Sequence, residues 1–221
     1  MTAVLALSTA TVHAAEAPRV DQHRHSDGSS VQLTTTVDLN RQRRQFRVEL
    51  RRPGKASTTV LNHSQALADA PTGGATLSDV DADGVVEIVE RTFCGAGPNC
   101  AFTIFKLNLI TQKARRWFEG SYAQIEPIGP YLVTSNRSSC CSWTHQILAP
   151  PDGDRALNSD DIVATIAVTA APDGSRPVRC LITTTDQQRW DAVVDQKPEL
   201  LRLCEIDGNT VVITAPSSLR R

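Results

Sequence analysis

A chain of 221 residues has room for one sizeable domain or two small ones, and a formal net charge of −1 gives it no overall field toward nucleic acid or an acidic surface. No apolar run is long enough to span a bilayer as a helix, and no tract is of low complexity. The expectation is a protein with no nucleic-acid partner and no transmembrane segment.

The first stretch, MTAVLALSTATVHA, carries no charged side chain and is apolar from Ala3 to Val12. Val12-His13-Ala14 places small residues where a signal peptidase needs them, so residues 1–14 read as a signal peptide cleaved after Ala14. The usual basic n-region is missing and the apolar region is short. Residues 15–30 show no apolar periodicity and read as a flexible leader. Residues 31–221 read as a single all-β domain.

Within that domain SVQLTTTVDL is rich in β-branched residues, and RQFRVELRR alternates Phe46, Val48 and Leu50 with Arg47, Glu49 and Arg51, as a half-buried strand does. NRQR joins the two as a hairpin turn. The basic run RQRRQFRVELRR reads as the solvated face of an edge strand, where charge discourages aggregation, rather than as a contact for an anionic glycan. STTVLNH continues the β pattern, and SQALADA fits a short helix with Ser64 as its N-cap. Two units in the middle, DGVVEIVERTFCGAGPNCAFTIFKLNL and GPYLVTSNRSSCCSWTHQILAPPDG, each read as strand, Cys-bearing loop and strand: two β-hairpins. The segment QKARRWFEGSYAQIEPIG connects them. AFTIFKLNL has apolar residues on both faces, which predicts a strand buried on both sides, as in stacked propeller blades or a sandwich centre. DIVATIAVTA, PVRCLITTT, ELLRLCEI and NTVVITA read as further short strands, with EIDGNTVVI as a hairpin. Nothing reads as a long amphipathic helix. The fold class expected is all-β, a small propeller-like or sandwich arrangement of disulfide-bonded hairpins.

The six cysteines are even in number and none forms a C-x-x-C pair, so disulfides in an oxidising compartment are the default. A short Gly/Pro/Asn loop favours Cys94 with Cys100. Two strand-like runs favour Cys180 with Cys204, which leaves the adjacent Cys140 and Cys141. The place expected is the periplasm or the outside of the cell.

The chemistry concentrates in DVDADGVVEI. Asp79, Asp81 and Asp83 stand at positions one, three and five, Gly84 at six, the Val85 carbonyl at seven and Glu87 at nine. Alternate side chains of a tight loop can converge, Gly tolerates the positive φ of a sharp turn, and calcium takes six to eight hard oxygen ligands in a flexible shell. The stretch also satisfies the EF-hand spacing, with Glu90 at position twelve. The β-branched sequence after it and the APTGGATLS before it favour a strand-flanked loop closed by Glu87, with Glu90 as the alternative closing ligand.

The pattern D-x-D-x-D-G-x-x-[DE] running into a strand resembles the calcium loops of integrin-type (FG-GAP-like) β-propellers. With the hairpin after it, the adjacent cysteines and the signal peptide, it more loosely resembles bacterial periplasmic peptidoglycan-hydrolase inhibitors of lysozyme type. The resemblance covers roughly Leu77 to Leu109, and less closely Tyr131 to Leu148. It implies bound Ca2+ with a structural role and a protein partner, a cell-wall hydrolase. Two departures are visible: Glu87 stands where Asp is commoner, and no second full acidic loop is present. EGSYAQIE also lacks the S-G-x-x-Y order that such inhibitors insert into an active site.

Other candidates read more plainly. His23 and His25 belong to the leader. His145 near Cys141 forms a Cys–His nucleophile only if Cys141 is a free thiol. Trp117, Phe118, Tyr122 and Trp143 fall in connecting loops, where they serve either as partner anchors or as caps on the core. No catalytic residue is assigned. The function expected is that of an exported calcium-binding β protein acting as a protein-binding module, in its sharpest form an inhibitor of a cell-wall hydrolase. The alternative is a calcium-dependent hydrolase acting on cell-wall or glycan material.

Overall fold

The computed structural model describes residues 17–70, 73–95, 97–151, 153, 155–170, 177–205 and 211–214. The expected signal peptide lies outside them, as do the dipeptides Asp173-Gly174 and Asp207-Gly208. The first sheet is an antiparallel meander of β1 (Arg19–Arg24), β2 (Ser30–Asp38), β3 (Arg43–Arg51) and β4 (Thr58–Ala66). The second repeats the plan with β5 (Gly74–Ser78), β6 (Glu87–Cys94), β7 (Cys100–Asn108) and β8 (Lys113–Tyr122). The third contains β9 (Gln124–Ile128), β10 (Tyr131–Ser139), β11 (Ser142–Leu148), β12 (Ile162–Thr169) and β13 (Val178–Thr183) in antiparallel order, and β14 (Val211–Thr214) added parallel to β13.

The alternation in the sequence sets the layers. Val31 and Leu33 of β2 and Phe46, Val48 and Leu50 of β3 face inward and pack on Ala75, Val86, Ile88, Phe105 and Leu107 of the second sheet region. Ile104, Trp117 and Phe118 leave the opposite face of that sheet to meet Leu132, Leu148 and Leu157. Ile104 and Phe105 are neighbours in β7 and enter different cores, so the strand is buried on both sides as its two apolar faces predict. The far side of the third sheet is covered by helix α1 (Gln187–Gln196) through Trp190, Val193 and Val194. Each such side chain removed from water contributes about 1.5–3 kcal/mol before entropy is counted. The result is a sandwich-like stack of three sheets and a helix. Among the described residues the sheets close into neither a barrel nor a propeller.

Several local expectations change. Residues 19–24, expected in a flexible leader, form β1 and pair with β2 from Arg19↔Thr35 to Arg24↔Ser30. Ser64 to Ala66, expected to open a helix, extend β4, because ladder pairing with β3 overrides a weak local preference. The stretch between the middle hairpins is not a connection: it supplies β8 and β9, and Trp117, Phe118 and Tyr122 are core residues of β8, while Trp143 is half-buried in β11. β3 is an interior strand, not an edge; its arginines are solvated because the outer face of the sheet is uncovered. PELLRLC is a 3-10 helix instead of a strand, and β14 joins β13 in parallel, not as a hairpin. α1 went unpredicted because only Trp190, Val193 and Val194 mark its apolar stripe. It begins at Asp186, whose carboxylate accepts from the Arg189 N–H at 3.0 Å.

All three expected disulfides are present: Cys94–Cys100, Cys140–Cys141 and Cys180–Cys204. The first closes the mouth of the β6–β7 hairpin. The last ties β13 to the 3-10 helix, a different partner element from the one the sequence implied. The bonds fit an oxidising compartment, and no described helix is long and apolar enough to cross a membrane.

Candidate metal centre

The acidic stretch is the loop between β5 and β6, whose last ladder pair is Ser78↔Glu87. Ala82 and Gly84 take left-handed φ of 59° and 85°, which folds the loop back on itself. Each aspartate spends one oxygen on the loop's own backbone. Asp79 Oδ2 accepts from the Gly84 N–H at 3.0 Å, Asp81 Oδ1 from Asp83 at 3.2 Å, and Asp83 Oδ1 from Val85 at 2.8 Å. Glu87 reaches in from the start of β6, and its Oε2 accepts from the Val80 N–H at 2.9 Å.

The remaining oxygens define the site. Oxygens of Asp79, Asp81 and Glu87 all lie within 4.8 Å of one another, so this cluster could hold a metal ion. Asp79 Oδ1 and Glu87 Oε1 are buried without a hydrogen-bond partner, and Glu87 is 0% exposed. An unsatisfied buried oxygen costs about 1–3 kcal/mol, more if it is charged. Burial, and then the charges of Asp81 and Asp83, push the Glu87 carboxyl up to about 8. Burial also raises Asp81, against the pull of Lys106. In the metal-free protein burial therefore favours the neutral, protonated form of Glu87, and a bound cation would favour the carboxylate.

One cation is already present in the chain. Lys106 of β7 bonds its ammonium to Asp81, and its Nζ lies 2.9 Å from Asp83 Oδ2. It also sits 5.1 Å from the centroid of the Trp117 ring. Burial opposes the ammonium, but the bonds to the two aspartates outweigh it and raise its pKa. Asp83 thus belongs to the solvent side of the loop, joined to the buried trio through Lys106. Val85, half-buried, follows it.

Glu90, the alternative closing ligand, is elsewhere. It shares a face of β6 with Ile88, toward the first sheet, where Gln65 of β4 donates to it and His63 Nε2 lies 3.3 Å away. The structure brings Asp79, Asp81 and Glu87 together and places Glu90 in a separate buried network.

Two partners of the loop escaped the sequence. His25, assigned to the leader, accepts the Val86 N–H through Nε2 at 3.2 Å, while its Nδ1 bonds Ser29 Oγ at 3.0 Å. That fixes the tautomer: Nδ1 carries the hydrogen. Burial, and then His23, lower its pKa, so it stays neutral. Lys106 did carry a signal, as the lone charge in a strand apolar on both faces. Cys141, bonded to Cys140, has no thiolate to offer. His145 Nδ1 instead meets Ser135 Oγ at 2.8 Å, its partner across the β10–β11 ladder.

No family model matches the chain, and no curated protein matches it. Among solved structures, one described as a Xanthomonas type IV secretion system related protein aligns with a TM-score of 0.46 at 10% identity, over 78% of this chain and 96% of that one.

Proposed function

We propose that the chain is an exported calcium-binding β protein that acts as a protein-binding module. The observation that carries the metal reading is the pair of buried carboxylate oxygens without a donor, Asp79 Oδ1 and Glu87 Oε1, facing Asp81 in one hairpin loop. The donor set favours calcium. It is oxygen alone, since the nearby His25 is committed to Val86 and every cysteine is bonded, which disfavours zinc. A flexible loop with carboxylates and main-chain carbonyls suits calcium better than the strict octahedron of magnesium. The ligands would be Asp79, Asp81, Asp83 and Glu87, with the Val85 carbonyl.

Calcium here would act on packing. Val80 at the start of the loop belongs to the core between the second and third sheets, and Val86 at its end to the core between the first and second. Fixing the loop therefore fixes both layers. Beside it lies a groove of about 460 Å³ walled by Leu107, Leu109, Ile110, Pro150 and Pro151, with Ile110 84% exposed. A hollow that joins these apolar side chains to Asp81, Asp83 and Lys106 of the loop supports protein binding. Inhibition of a cell-wall hydrolase is the sharpest form of this reading. Lysozyme and peptidoglycan hydrolases are to be assayed with the protein, with and without calcium. Their inhibition in calcium supports the reading; peptidoglycan cleavage by the protein alone would replace it with a hydrolase.

A further inference from the structure

A hollow of about 570 Å³ lies at one end of the first sheet, between the β1–β2 turn and the β3–β4 loop. The two loops touch: a Cβ built on Gly28 would meet Pro53 Cγ at 3.3 Å. The charged residues in its lining are Arg24, Arg51 and Arg52. Arg24 and Arg51 both pair with Ser30 in the ladder, one from each side, so they flank its hydroxyl on the outer face of the sheet. With strands about 4.8 Å apart, their Cα atoms stand about 10 Å from each other, within reach of one small ligand. Arg52 donates to the main-chain carbonyl of Leu109, and its charge acts on the nearby Asp27.

Two of the carboxylates nearby pair with other arginines. Asp21 pairs with Arg19 at 3.2 Å, and Glu49 with Arg47 at 2.8 Å. Asp27 turns its Oδ1 to the Ser29 N–H at 2.8 Å and hydroxyl at 2.6 Å. No ion pair neutralises Arg24, Arg51 or Arg52 among the described residues. Arg24 and Arg51, on either side of Ser30 without a carboxylate partner, repel one another, and an anion relieves that repulsion. A monocarboxylate would leave one of these two positive charges, whereas a phosphate dianion comes near balance and matches the planar fork of arginine.

We infer that this hollow is a binding site for a phosphate-bearing ligand, with Arg24 and Arg51 as the clamp and Ser30 between them. The site is built from different side chains than the acidic loop but neighbours it, since His25 of the same β1–β2 turn accepts the Val86 N–H. The basic run that the metal reading left unused supplies one side of it.

The test uses the full chain in a chelator, titrated with inorganic pyrophosphate and followed by the amide resonances of Gly28, Ser30 and Gly54. Saturable shifts are expected at those residues, weakened about tenfold or more in Arg24→Ala/Arg51→Ala and weakened by added salt. Both arginines are exposed, and the melting temperature of the variant checks that it folds. Vesicles of phosphatidylglycerol against phosphatidylcholine separate the two sources of phosphate. Binding to the anionic vesicles assigns a lipid headgroup, and binding to pyrophosphate alone assigns a soluble ligand. Absence of binding to both, equal binding by the double variant, or equal affinity for citrate would overturn the assignment.

Discussion

Glu87 and Glu90 stand on opposite faces of β6, and only Glu87 faces the acidic loop. Glu87 joins Asp79 and Asp81 with one oxygen unpartnered, while Glu90 bonds Gln65 and lies against His63 of the first sheet. Three residues apart in a strand, they cannot serve the same site. The EF-hand spacing is thus met in letters and not in space. Replacing each with Gln separates them. E87Q mimics the protonated carboxyl, so it should leave metal-free stability near that of the parent and abolish the calcium-induced rise in melting temperature. E90Q should keep that rise. Differential scanning fluorimetry with and without calcium reads both.

Lys106 occupies the flank of the loop that a cation would also neutralise, through Asp81 and Asp83. Lys106→Met keeps the stem beside Trp117 and removes the charge. Without metal it should destabilise the fold by about 3 kcal/mol, because the buried carboxylate of Asp81 loses its counter-ion, while the exposed Asp83 adds little. Calcium affinity should rise in the same variant, as the competing ammonium is gone. Urea unfolding and calcium titration of the one protein test both directions.

His25 ties β1 to the loop through the Val86 N–H. His25→Ala leaves that buried donor without a partner and should cost about 1–3 kcal/mol. Calcium affinity should fall with it, since the loop's exit into β6 is no longer held. Denaturant unfolding in chelator separates the first effect from the second.

His145 gives a pH signature. Burial lowers it from 6.5 to about 4. The unfolded chain takes up the proton first as pH falls, so this residue stabilises the fold fully above 6.5 and loses that contribution as pH falls toward 4. With allowance for its remaining exposure, the loss should be roughly 1–3 kcal/mol. Unfolding free energies of the parent and His145→Gln should diverge across that window and run parallel above it. Curves parallel throughout would contradict the placement of His145.

The strands and the cysteine pairs were legible because each leaves a local trace. Phe46, Val48 and Leu50 alternate, the Cys94 and Cys100 loop is short, and β7 shows apolar residues on both faces. The acidic trio was legible as a candidate cluster for the same reason, as Asp79, Asp81 and Glu87 lie within a single hairpin. What the chain order hid was tertiary. His25 lies far from Val86 in sequence, and nothing in RVDQHRHSDG announces that β1 will pair with β2. Trp117 and Phe118 looked like loop aromatics because their strand alternates poorly. Ser64 to Ala66 carried a helical look that pairing with β3 overrode. The choice between Glu87 and Glu90 depended on which face of β6 each occupies, and that is fixed only once the first sheet packs against it.

The central claim is that the β5–β6 loop binds calcium through Glu87. Calorimetric titration of calcium into the chelator-stripped protein, run beside E87Q, tests it most directly. The account predicts saturable one-site binding in the parent, a melting temperature that rises with calcium and returns on chelation, and loss of both in E87Q. No heat and no thermal shift in the parent at millimolar calcium, or binding retained in full by E87Q, would contradict it.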